Sequence, residues 1–281
     1  MTGVLTVSYA DPDAAERFCA SLRNTGFAVL RDHPVPQALI EAISAEWLAF
    51  FDSDAKNAYL FDEERHDGFF PPRAAETAKG YGQRDLKEYF HIYSWGRYPA
   101  EVSDAARRYH MLAAALGAQL LSWIEAHAPE EVRKRLTMPL PQMIIDSPLT
   151  MLRILRYPPL SGQEAPGAVR AAAHADINLL TVLPATRERG LQLLDAEGRW
   201  TDLPYDPGAL IVNVGDMLQE ASGGYYRSTL HRVLNPTGDA CHRSRISMPL
   251  FLQPRPEVPL SERYTSASYR RERLEELKGK S

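Results

Sequence analysis

The chain has 281 residues, of which 44% are hydrophobic and 24% charged, with a formal net charge of -4. That length can bury a large core, as one β domain with additions or as two units, and the acidic balance argues against a nucleic-acid partner. Two cysteines, Cys19 and Cys241, make no disulfide framework, no apolar run is long enough to span a membrane, and Met1–Val7 lacks the basic start and apolar stretch of a signal peptide; a cytoplasmic protein without a membrane partner is expected.

In chain order, Asp11-Pro12-Asp13 offers a helix start, and Ala14, Ala15, Phe18, Cys19 and Leu22 follow at helical spacing until Gly26. Phe27–Leu30 reads as a short strand. A second helix from Pro36 has the stripe Leu39, Ile40, Ile43, Trp47, Leu48 and Phe51. Residues 61–84, rich in Gly, Pro and charge, read as a long loop, and Leu86–Tyr93 alternates as a strand. Ser103 is placed to cap a helix with a core stripe of Tyr109, Leu112, Ala113, Leu116, Leu120 and Ile124. His33, His110 and His127 have no ligand-spaced partners and read as structural or bystander residues.

From Leu149 onward strands dominate. Met151–Tyr157 is stopped by Pro158-Pro159, and turn signals at Asp195–Gly198 and Asp206–Gly208 separate Gly190–Leu194, Trp200–Leu203 and Ala209–Val214. Short strands at this spacing predict a mainly β fold with flanking helices, a sandwich or jelly roll rather than a parallel α/β sheet. The tail from Ser261 reads as a charged helix whose Arg270–Arg273 cluster faces Glu275 and Glu276.

Chemistry gathers between Arg170 and Leu252. His174-x-Asp176 heads an apolar run expected to be a strand from Ile177 to Leu183, and side chains two apart on a strand share a face. With a distant His brought in by the fold, an imidazole and a carboxylate make a facial triad, which suits non-haem Fe(II) better than structural zinc. A lone H-x-D is a weak signal, but here it is followed by Gly215-Asp216-Met217-Leu218-Gln219, Ser222, Tyr226 and Ser228, then His231-Arg232-Val233, then Arg245-Ile246-Ser247.

This ordered set resembles the isopenicillin N synthase-like family of Fe(II)/2-oxoglutarate-dependent dioxygenases over nearly the whole chain. The resemblance implies a double-stranded β-helix (jelly-roll) core at 149–254, preceded by a helix-rich α/β region at 1–145 and followed by a helical tail at 255–281. It implies His174, Asp176 and His231 as Fe(II) ligands, and Arg245, Ser247 and Tyr157 as contacts to the far carboxylate of 2-oxoglutarate. Arginine suits that task because its planar fork matches a carboxylate. The implied reaction couples oxidative decarboxylation of 2-oxoglutarate, with O2, to oxidation of a small-molecule substrate, most often hydroxylation. A 2-oxoglutarate-independent oxidase, an ethylene-forming enzyme and a silent binding module are the alternatives.

Two departures from the family pattern stand out. Asp32-His33-Pro34 replaces an N-H-G loop, and Leu155 stands where the family has an Asn two residues before the Tyr, removing a polar contact. If Tyr157 faces the pocket, period 2 puts Leu155 and Arg153 beside it. Arg153 is then expected to meet a substrate carboxylate or an internal acid, and Glu88, next to Lys87, to meet an amino or guanidinium group. That pairing favours a small amphoteric metabolite over a flavonoid-like aromatic.

Overall fold

The computed structural model describes residues 3–75, 83–186, 188–204 and 206–278. Parts of the expected 61–84 loop (residues 76–82), the end of the tail (279–281) and the first two residues of the leader reading lie outside them. Helix α1 (Ala14–Thr25) buries Ala14, Phe18, Cys19 and Leu22, and ends where Gly26, at φ 75°, returns its N–H to Leu22 O. A left-handed residue is what stops a helix here, and glycine adopts it without a Cβ penalty. Helix α2 (Gln37–Asp52) buries Ile40, Ile43, Trp47 and Phe51 as expected, with Phe50 added. Helix α3 (Ala105–Ala126) is capped one residue later than expected, at Asp104, while Ser103 Oγ accepts the Ala105 N–H at 3.2 Å. The short helices α4 (Glu130–Arg133), α5 (Leu140–Ile144) and α6 (Asp216–Ala221) and the tail helix α7 (Ser266–Lys278) complete the helical set among the described residues. The tail helix begins five residues after Ser261.

The strands are β1 (Thr6–Ser8), β2 (Phe27–Arg31), β3 (Gly68–Phe70), β4 (Glu88–Ile92), β5 (Met151–Tyr157), β6 (Ala171–His174), β7 (Leu180–Pro184), β8 (Leu191–Leu194), β9 (Trp200–Asp202), β10 (Leu210–Val214), β11 (His231–Val233), β12 (Arg245–Ser247) and β13 (Leu250–Leu252). They form two sheets. The larger runs β1-β2-β10-β7-β13-β5-β4-β3 with β12 also on β5; the smaller runs β6-β11-β8-β9. Strand β3, hidden in sequence by its Gly and charged surroundings, pairs with β4, Phe69 opposite Phe90. The stretch from Arg245 to Leu252 is two strands rather than one, because Pro249 has no N–H to continue the ladder and instead offers its carbonyl to Arg153 N.

One face of the larger sheet is apolar. Leu152, Ile154, Leu180, Val182, Leu210, Val212, Leu250 and Leu252 pack in one cluster with the buried faces of α1, α2 and α3. Each fully buried side chain of this kind stabilises the fold by about 1.5–3 kcal/mol. The opposite face carries Asn213, Thr181, Arg153, Leu155, Tyr157, Arg245 and Ser247, since residues directly opposite across paired strands share a face. That face is the inner wall of the jelly roll. Among the described residues no helix is long and apolar enough to cross a membrane.

Candidate metal centre

His174 ends β6 and His231 begins β11, and the two lie directly opposite in the antiparallel pair, with ring centroids 4.4 Å apart. Asp176 does not share a strand with His174. The strand stops at His174, regular pairing resumes only at Leu180, and the carboxylate reaches the histidines from the intervening turn. The turn is held by three consecutive amides at the start of α6. Gly215, Asp216 and Met217 donate to the carbonyls of Leu179, Asp176 and Asn178 at 3.0, 2.8 and 3.0 Å. The Gly-Asp-Met-Leu-Gln run thus positions Asp176 without supplying a candidate ligand itself. Further along, Gln219 Oε1 accepts the Ser228 N–H and Ser222 Oγ accepts the Tyr226 N–H, shaping the approach to His231.

Nε2 of each histidine lies 3.8 Å from Asp176 Oδ1. All three potential ligand atoms fall within 4.8 Å of one another, the one such group of three among the described residues. The other atoms of these side chains are already engaged. His174 Nδ1 meets Ala172 O at 2.8 Å and His231 Nδ1 meets Thr229 O at 3.2 Å, which puts the proton on Nδ1 and leaves Nε2 as a lone-pair donor. Asp176 Oδ2 accepts from Thr181 Oγ1 at 2.5 Å and Asn213 Nδ2 at 2.8 Å, so Oδ1 is the oxygen left for a cation. Burial alone would raise the Asp176 carboxyl, but His231, His174 and the Asn213 and Thr181 hydrogen bonds outweigh it and hold it below the usual carboxylate range. Partial loss of hydration within the protein, reinforced by His231, lowers His174 and keeps it neutral, the form that binds metal. The donor set fits a divalent metal with open positions, and two imidazoles with one carboxylate suit non-haem iron among the first-row metals.

Arg245 and Ser247 are brought to Tyr157 and Leu155 by the β12–β5 register. The Arg245 guanidinium is buried, lies 5.7 Å from the Tyr157 ring centroid, gives one hydrogen to Arg189 O, and leaves Nε without a partner. Burial pulls its pKa down; Tyr157 and Glu188 oppose that, and Arg170 adds to it. Arg170, 1% exposed, lies 5.5 Å from the same Tyr157 ring and pairs with Glu188 at 2.8 Å. Glu188 thus acts on both guanidiniums, paired with Arg170 and at longer range from Arg245. Arg245 also lines a cavity of about 230 Å³ bounded by Leu183, Leu191 and Ile211.

Arg153 lies on the inner face. Its guanidinium sits 4.6 Å from the Tyr89 ring and 5.4 Å from Phe251, and its Nε donates to His91 Nε2 at 2.9 Å. Phe61, Phe70 and Tyr89 stack beside it at 4.4 and 4.7 Å. Leu155 packs with Phe70, Tyr89 and Tyr157. Glu88 does not belong to this wall. The β4 register sets it opposite Arg156, on the other face, where it pairs with Arg156 at 3.0 Å and Lys56 at 3.1 Å. The expected amine-binding carboxylate is therefore a structural ion pair. His33, His110 and His127 each contact a backbone carbonyl and stand apart from the site. Sequence reasoning missed Thr181 and Asn213, although a lone Asn in the apolar run Ala209–Val214 is a visible signal.

Residues 148–254 match the family model of the 2OG-Fe(II) oxygenase superfamily, and residues 5–112 that of the N-terminal region of non-haem dioxygenases in morphine synthesis. A candidate oxygenase from Shewanella oneidensis is 51% identical, with a TM-score of 0.90 over 98% of this chain and 99% of its own. A candidate 2OG-Fe(II) oxygenase family protein from Caulobacter crescentus is 27% identical, with a TM-score of 0.82 over 99% and 100%. Gibberellin 2-beta-dioxygenase 5 of Oryza sativa subsp. japonica is 31% identical over 82% of this chain and 65% of its own.

Proposed function

The chain belongs to the 2OG-Fe(II) oxygenase superfamily, and from that premise we propose that His174, Asp176 and His231 hold its Fe(II), while Arg245, Ser247 and Tyr157 hold the far carboxylate of 2-oxoglutarate. It is an oxidoreductase that uses Fe(II), 2-oxoglutarate and O2. When bound, these supply the oxidising chemistry: 2-oxoglutarate loses CO2 and takes one oxygen atom as succinate, and the other oxidises a small-molecule substrate. The observation that carries the assignment is the division of labour on Asp176, with Oδ2 saturated by Thr181 and Asn213 and Oδ1 turned to two Nε2 atoms. Residues 149–254 carry this chemistry in our reading, with 1–145 supplying the substrate side and 255–281 an outer helix.

For the substrate, Arg153 supports an anionic group and the Phe70–Tyr89 stack a flat carbon skeleton. With Glu88 on the other face, the amphoteric preference reduces to an acid. The net charge of -4 supports an absence of nucleic-acid partners, and the free thiols Cys19 and Cys241 support a reducing cytoplasm. The test is anaerobic titration with Fe(II) and 2-oxoglutarate, then exposure to O2 with a panel of carboxylic acids and neutral aromatics. Succinate release stimulated by acids is expected in the wild type and absent in His174→Ala. Stoichiometric iron and full turnover in His174→Ala would refute the metal assignment, and stimulation by neutral aromatics alone would refute the substrate class.

A further inference from the structure

We propose that Asp85, paired with Lys87, is a positioning residue for His174: its carboxylate pins the open edge of β6 and thereby fixes a metal-binding imidazole. The inference rests on the reading of His174, Asp176 and His231 as the Fe(II) site. Strand β6 is the outermost strand of the smaller sheet. Among the described residues it pairs with β11 alone, and that pairing shifts register between His231 and Val233. An edge of this kind leaves backbone N–H groups in need of partners.

Asp85 supplies one from outside the sheet. Its Oδ1 accepts the Ala172 N–H at 2.9 Å, while the neighbouring Leu86 N–H donates to Val169 O at 2.9 Å. The carbonyl of the same Ala172 meets His174 Nδ1 at 2.8 Å. A single residue therefore transmits the restraint from Asp85 to the ring. His174 is the ligand that most depends on such a restraint. Its side chain is 40% accessible, against 10% for His231 and 6% for Asp176, so packing alone holds it least.

The other carboxylate oxygen, Oδ2, accepts from Lys87 Nζ at 2.8 Å, and both side chains are buried. A buried ion pair is roughly neutral or unfavourable for stability when set against apolar groups of the same size. Stability therefore does not explain why the pair is there. A fixed acceptor aimed at Ala172 is what an apolar pair could not provide.

The experiment compares the full-length wild type with Asp85→Asn and with the double variant Asp85→Leu/Lys87→Met, by anaerobic Fe(II) titration and by thermal denaturation of the metal-free proteins. The double variant keeps the packing and removes the acceptor. Losing the direct hydrogen-bond partner of a metal-binding His typically costs about 10–100-fold in affinity; Asp85 acts one residue further out, so the Fe(II) Kd is expected to rise by up to about tenfold without a matching fall in Tm. Asp85→Asn retains an oxygen facing Ala172 and is expected to keep Fe(II) affinity close to wild type. Wild-type Fe(II) affinity in the double variant overturns the proposal, as does an equal loss in Asp85→Asn. A His174→Ala control separates the two readings, because tight Fe(II) binding there would condemn the metal site itself and not the strap.

Discussion

Asp176 shows how a candidate metal ligand is aimed by atoms that would never touch the metal. A buried carboxylate needs its lone pairs satisfied, and Thr181 and Asn213 satisfy one oxygen while orienting the other. A hydrogen bond to a charged group contributes about 1.5–3 kcal/mol, so Asn213→Leu is expected to weaken Fe(II) binding by roughly tenfold or more, read by anaerobic titration. Unchanged affinity would mean that Thr181 alone orients the carboxylate. At the other end of the site, Arg245→Leu removes the charge-assisted partner proposed for the cosubstrate. Such losses cost about 2–5 kcal/mol, so 2-oxoglutarate affinity is expected to fall at least thirtyfold with Fe(II) affinity unchanged. The proposed Fe(II) and cosubstrate residues stand out in sequence because their side-chain chemistry is itself the signal, and the structure brings His174, Asp176 and His231 together. Glu88 was misread because its face depends on which residue of β5 stands opposite, and that register is a property of the folded sheet.

At the scale of elements, the turn that carries Asp176 depends on one glycine. A Cβ on Gly215 would collide with the backbone carbonyl of Asn178 as well as its side chain, and the backbone there cannot yield because Met217 N–H is bonded to the same carbonyl. Overpacking of this kind costs about 1–3 kcal/mol. Gly215→Ala is therefore expected to lower Tm and to weaken Fe(II) binding together, since the displaced turn is the one that aims Asp176. Intact iron binding with a lowered Tm would show that the turn tolerates the shift. The helices α1, α2 and α3 were readable because an apolar stripe at period 3.6 survives any tertiary arrangement. Strand β3 and the step from His174 to Asp176 were not, because a three-residue strand and an irregular turn leave no period to detect.

Across the whole molecule, strands from the N-terminal region complete the larger sheet: β2 joins β10, and β4 joins β5. The resemblance implied separate regions, and pairing between strands this far apart in the chain leaves no local trace. Two half-buried histidines tie these distant parts together. His33 contacts Gly208 O at 3.0 Å, bridging the end of β2 to the turn before β10, and His110 on α3 contacts Thr150 O at 3.2 Å, beside the start of β5. Burial lowers the pKa of both, against the backbone hydrogen bonds that partly oppose it. The unfolded chain then binds protons near pH 6.5 that the folded chain refuses, so stability rises with pH across that interval. The contribution is complete above about pH 6.5 and is lost as pH falls through the depressed folded values. Metal-free wild type is therefore expected to lose Tm more steeply between pH 7 and 5 than His33→Asn/His110→Gln, in which neither position titrates (pH range set by the ordinary His value of about 6.5). His174, also lowered by partial loss of hydration, is common to both proteins and cancels in the comparison. Parallel Tm profiles for the two would show that neither bridge contributes to the acid sensitivity of the fold.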